Sequence, residues 1–152
     1  MILHQDFKEL LELLDKNQVE YLIVGAFALG FYGNPRTTGD IDIWIDISKE
    51  NARQMVKTFE EFGISSLGYS EKDFMDKDVV VQIGVVPVRI DILTGISGVE
   101  FNEAYKNREE KTINEVTLKY LSREDFIKNK LASGRKKDLA DIETILTTRD
   151  KK

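Results

Sequence analysis

The sequence predicts an α/β (α+β) fold, a mixed sheet with helices packed on it, and three observations carry that expectation. Helical and strand periodicities succeed one another along the chain in the order helix, strand, helix, strand, helix, hairpin, helices. The strand-like stretches YLIV, DIDIWI, VVVQIGV and VRIDIL are short and rich in β-branched residues. A chain of 152 residues with 41% hydrophobic content can bury one good core and is too short for two, so residues 1–152 are expected to form a single domain.

Each element has a local cause. In DFKELLELLDKN, Phe7 and the leucines fall at helical spacing, with Asp6 as the expected cap and an end near Asn17. YLIVG follows as a short buried strand, and GAFALGFYG reads as a turn at Gly25 into a short apolar helix, stopped by Gly33, Asn34 and Pro35. Ser48 caps SKENARQMVKTFEEFG, where Ala52, Met55, Val56, Phe59 and Phe62 share a face up to a stop at Gly63. VVVQIGVVPVRIDIL predicts a hairpin around Gly84 to Pro87, and TINEVTLKYL a second one turning at Asn114. SREDFIKNKLAS and RKKDLADIETILTT predict two closing helices separated at Gly134.

One strand carries the functional question. In RTTGDIDIWIDI, alternation puts Ile41, Ile43, Ile45 and Ile47 on one face and Asp40, Asp42, Trp44 and Asp46 on the other. Same-face carboxylates stand only about 7 Å apart in strand geometry, so they repel unless a cation lies between them. Asp91, in the middle of the apolar run VRIDIL, is a third acid needing an explanation. We expect Asp40, Asp42 and Asp91 to meet on one face and hold magnesium, a hard ion that takes oxygen ligands and retains waters and phosphates beside one or two carboxylates. Asp91 would then serve either as a general base or as a ligand of a second ion. A bare pair of alternating aspartates is more often a solvated strand face. The glycine after a buried strand, Arg36 before the acids and the isolated Asp91 argue for phosphate chemistry instead.

Composition narrows the alternatives. There is no cysteine and only one histidine, which excludes thiolate zinc sites, disulfides, a cysteine nucleophile and a histidine metal cluster. The net charge of −5 argues against a general nucleic-acid-coating surface, although KNKLASGRKK gathers Lys128, Lys130, Arg135, Lys136 and Lys137 in one place that could receive phosphates. No apolar run approaches the roughly 20 residues of a membrane span, and the acidic, amphipathic N-terminus is unlike a signal peptide, so a cytoplasmic protein without membrane contact is expected.

The run LIVGAFALGFYGNPRTTGDIDIWID resembles the nucleotidyltransferase (DNA polymerase beta-like) superfamily, and is most similar in character to the minimal bacterial AbiEii-like toxin group and related uncharacterised nucleotidyltransferases. The resemblance covers most of residues 18–146. It implies a nucleotidyltransferase-like fold and a magnesium-dependent transfer of a nucleoside monophosphate from an NTP to a hydroxyl of RNA, protein or a small molecule. It also implies a possible place in a toxin–antitoxin pair, with an antitoxin or a second copy as partner. By the same resemblance Asp40, Asp42 and Asp91 hold metal and act in catalysis, Gly25, Ala26, Arg36 and Thr38 contact the nucleotide, and Lys130 contacts the triphosphate and supports transfer. Arg135, Asp138 and Asp141 match the pattern after that lysine, and the residue reading of the two aspartates alone is an ordinary surface ion pair. Where active relatives carry Gly-Ser, this chain has Gly25-Ala26, and a catalytically weak nucleotide-binding or regulatory module of the same fold is the alternative.

Of the remaining residues, Arg89 is expected on the face of the acids, Trp44 packed under a helix or stacked on a base, and His4 exposed at a helix start.

Overall fold

The computed structural model describes residues 3–32, 39–85 and 88–148. Arg36 and Thr38 therefore lie outside the described residues, as does the turn at residues 86–87.

Helix α1 (Gln5–Lys16) buries Phe7, Leu10, Leu11 and Leu14 on one stripe. Its cap is His4 and not Asp6: the imidazole Nδ1 accepts the Asp6 backbone N–H at 3.1 Å. An imidazole can satisfy an orphan amide as a carboxylate does, and this moves the helix start two residues earlier than expected, to Gln5. Strand β1 (Tyr21–Val24) is buried throughout and leads into α2 (Gly25–Leu29). Strand β2 (Asp40–Ile45) feeds α3 (Lys49–Glu61), whose first turn is capped by the Ser48 hydroxyl.

The hairpin β3 (Val80–Val85) and β4 (Val88–Leu93) forms as expected, as does β5 (Glu109–Ile113) with β6 (Val116–Tyr120). Asn114 and Glu115 both hold positive φ, 51° and 68°, which a two-residue turn between right-twisted strands requires. Helices α5 (Arg123–Ser133) and α6 (Lys136–Thr148) meet at Gly134, which ends α5 in the left-handed region at φ 65°. Helix α4 (Phe101–Lys106) and two 3-10 turns, at Ser65–Leu67 and Glu71–Phe74, have no counterpart in the sequence reading. They are too short to show a period.

The six strands form one sheet in the order β3-β4-β2-β1-β6-β5. The central pair β1 and β2 is antiparallel, while β2 with β4 and β1 with β6 run parallel. Consequently the start of β2, the first half of β4 and the ends of β1 and β6 all lie at one end of the sheet. Asn51 locks the opposite end: it accepts the Glu20 N–H at 2.8 Å and donates to Asp46 O and Glu20 O. Ile41, Ile43 and Ile45 are fully buried, and Trp44 packs edge-on against Phe101 of α4 with centroids 5.0 Å apart. Trp44 is thus a core residue under a helix.

Candidate active site

The parallel register of β2 and β4 sets Asp42 directly beside Asp91, with Asp40 beside Arg89. Alternation then brings Asp40, Asp42, Arg89 and Asp91 to the same face. The acids stand in a gradient of burial, from a half-exposed Asp40 to an Asp91 that is 7% exposed.

Electrostatics follow from this crowding. Burial, then the charge and hydrogen-bond contact of Asp91, then the charge of Asp40, push the Asp42 carboxyl up from 3.8 to about 6, and Arg89 offsets only part of this. Two carboxyls in hydrogen-bond contact hold each other only while one carries a proton. Arg89 spans the other two acids, with Nη2 3.4 Å from Asp40 Oδ2 and Nε 3.2 Å from Asp91 Oδ1. The second approach is poorly aligned, so among the described residues both Nε and Asp91 Oδ1 are buried without a hydrogen bond.

Gly25 closes the site from the β1 side, where Val24 pairs with Asp42. It has φ 73°, and a Cβ there would collide with Asp42 Oδ2. The glycine is needed for the acid as well as for its backbone conformation. Ala26 follows in the first turn of α2 and supplies no hydroxyl.

The donor set fits a divalent cation in chemistry: hard oxygen atoms, mutual repulsion that a dication would relieve, and an acid oxygen with no hydrogen bond. Among the described residues, no three His, Cys, Asp or Glu side chains are already arranged as a metal cluster. The pair Asp42 and Asp91 is therefore the core of any such site, and Asp40 is turned toward Arg89.

Lys130 is placed differently from a free phosphate-binding cation. Its ammonium lies 3.3 Å from Asp138 Oδ1 and 3.5 Å from Asp141 Oδ2, over the Phe126 ring. Asp138 is fully buried and also accepts from Arg135 and Ser133, at 2.7 Å each. Arg135 above all, then Ser133 and Lys130, hold its carboxyl well below the usual range. This is an interior network joining α5 to α6, and the expectation of a surface ion pair is corrected: a helix pattern cannot show that Gly134 folds α6 back over α5.

A cavity of about 640 Å³ lies beyond the other end of β2 and β4, between Trp44, Asp46, Asp78, Thr94 and Glu100. None of Gly25, Asp40, Asp42 and Asp91 lines it.

Comparison with known proteins bears on the family and the fold. The model of a family described as "nucleotidyltransferase of unknown function (DUF6036)" matches residues 2–149. A candidate nucleotidyltransferase of Thermotoga maritima superposes with TM-score 0.59 at 19% identity, covering 93% of this chain and 90% of that one. The lincosamide antibiotic adenylyltransferase LnuA in its lincomycin-bound form superposes with TM-score 0.57 at 16% identity, over 96% and 98% of the two chains. An antigenic nucleotidyltransferase-like protein from Paracoccidioides brasiliensis gives 0.52 at 16% identity, over 91% and 72%. No curated protein matches the sequence.

Proposed function

The chain belongs to this family of nucleotidyltransferases, and from that premise we propose that it transfers a nucleoside monophosphate from an NTP to a hydroxyl acceptor in a magnesium-dependent reaction. The observation that carries the reading is the in-register pair Asp42 and Asp91, pressed together at the sheet end where Gly25 leaves room for the Asp42 carboxylate.

Asp42 and Asp91 would hold the metal, with Asp40 joining when Arg89 releases it. Bound there, magnesium supplies charge neutralisation at the phosphate oxygens. Gly25 and Ala26 offer backbone to the triphosphate, and Arg36, Thr38 and Lys130 complete its contacts. Asp91 either adds a ligand for a second ion or takes the acceptor's proton. Arg89 is the cation already in the site, reaching Asp40 at 3.4 Å and Asp91 at 3.2 Å.

The acceptor is the least constrained part. A small molecule with a free hydroxyl is favoured by the overlap with an adenylyltransferase of similar length that binds lincomycin, with RNA or protein as the other outcomes. A cytoplasmic location and pairing with an antitoxin or a second copy remain part of the proposal. Ala26 favours a second reading, a nucleotide-binding module without turnover.

The test is incubation of purified protein with magnesium, each labelled NTP, and total RNA, lysate protein or lincomycin. Transfer of label that disappears in Asp42→Asn supports the enzyme. Tight binding without transfer supports the module, and neither binding nor transfer with any NTP overturns both.

A further inference from the structure

On the other side of Gly25 from the acids, the fold presents a second set of polar groups that nothing above uses. Leu121 N–H donates to Ile23 O at 3.1 Å, and Ile23 pairs with Tyr120, so the chain leaving β6 passes beside the end of β1. The next residues form the first turn of α5. Tyr32, at the end of the α2 segment, ties this turn down by donating to Leu121 O at 2.7 Å and packs near Phe126 and Tyr120. The charges of both Arg123 and Asp125 reach the Tyr32 hydroxyl.

Among the described residues both charges are short of partners. Asp125 is 6% exposed, yet its Oδ2 is buried with no hydrogen bond and its Oδ1 has Lys128 at 3.9 Å. Arg123 Nη2 is likewise buried and without a hydrogen bond. Helix capping does not account for the acid. The backbone N–H of Asp125 donates to Ser122 Oγ, but no bond returns from its carboxylate to Ser122, whereas Asp73 makes that return bond to Ser70 in the 3-10 turn Glu71–Phe74. A buried carboxylate and a buried guanidinium nitrogen left open cost free energy unless something else satisfies them.

We propose that the first turn of α5 is the nucleoside side of the site, where Asp125 accepts hydrogen bonds from the ribose hydroxyls of the nucleotide and Arg123 pairs with a phosphate oxygen. A single ligand answers both open groups, since a nucleotide joins hydroxyl donors to an anion within a few ångströms. The position is consistent with this: Gly25 lies between the α5 turn and the Asp42–Asp91 pair, in the strand order β4-β2-β1-β6. Carboxylates take sugar hydroxyls in the same way at other nucleotide sites.

The inference rests on the nucleotide reading above, and its test separates the two. Binding of ATP, 2′-deoxy-ATP, 3′-deoxy-ATP and adenosine is measured calorimetrically with magnesium on the full chain. The wild type should prefer ATP to at least one deoxy analogue by about tenfold or more, the size of a hydrogen bond to a charged group. Asp125→Asn, nearly isosteric and checked by its melting curve, should collapse that preference while keeping most binding of the deoxy analogue. Arg123→Gln should weaken ATP about tenfold and leave adenosine unchanged. If the wild type binds ATP but Asp125→Asn retains the full ribose preference, or Arg123→Gln weakens ATP and adenosine alike, this inference fails and the nucleotide reading stands. If the wild type binds no NTP, the nucleotide reading itself fails.

Discussion

The Cα of Gly25 is packed against the carboxylate of Asp42 so closely that no side chain fits between them. Strand pairing causes it: Val24 is opposite Asp42, and the chain turns at once through φ 73° into α2. Gly25→Ala therefore faces two costs, about 1–2 kcal/mol for an alanine in the left-handed region and the displacement of the carboxylate. In Asp42→Ala the second cost largely vanishes. A double-mutant cycle in urea should return a coupling of at least about 1 kcal/mol, and additive costs would show that the two residues do not meet. Gly25→Ala should also abolish stabilisation by magnesium with NTP.

The pH dependence of stability has a definite sign at the acid pair. Asp42 titrates near 6 in the fold against 3.8 in the free chain, so the folded state holds a proton that the unfolded state has already lost. This group costs nothing below about pH 4, and its cost grows as pH rises to 6 and then levels off. At about 1.4 kcal/mol per unit, the ceiling is roughly 3 kcal/mol. Asp42→Asn should raise metal-free stability at pH 7.5 by up to that amount and leave it unchanged at pH 4. Denaturation series at the two pH values check it, and a loss of stability at pH 7.5 would contradict the crowding described.

Magnesium should reverse that penalty. With NTP present, the rise in melting temperature should be clear at pH 7.5 and small at pH 5, where the pair keeps its proton and offers fewer anionic oxygens. Asp91→Asn should remove the rise altogether. Arg89→Gln removes the competing guanidinium from Asp40 and Asp91, so it should raise magnesium affinity while lowering metal-free stability.

How much of this could be read beforehand depended on the range of each signal. Strand alternation is local, so the shared face of Asp40 and Asp42 and that of Arg89 and Asp91 were each legible, and so were both hairpins. That Asp91 would join the other two acids was expected from the chemistry, but its register directly beside Asp42 was not readable, because a parallel crossover through α3 fixes it and no periodicity reports that. Asn51, inside the polar stretch KENARQ, gave no sign of holding β1 to the end of β2. Lys130 was expected at the triphosphate and Asp138 in a surface ion pair, while Arg123 and Asp125 carried no signal, since helix position alone does not reveal what folds over a charge. The network that joins Lys130 to Asp138 and Asp141 depends on how α6 packs on α5.

The α5–α6 network gives the last prediction, because it has an opposite pH sign. Asp138 has its carboxyl depressed, first by Arg135, so its contribution is complete above the free-chain value of 3.8 and is lost as pH falls through the region below it. Asp138→Ala would leave Lys130, 8% exposed, with Asp141 as its remaining acid among the described residues. Breaking such a buried pair costs about 3–5 kcal/mol. Lys130→Met, which removes the cation and keeps the packing on Phe126, should cost less, because Asp138 still holds Arg135 and Ser133. If Lys130 also contacts the triphosphate, Lys130→Met should raise the KM for NTP at least tenfold while the fold survives. An unchanged KM would assign the lysine to the network alone.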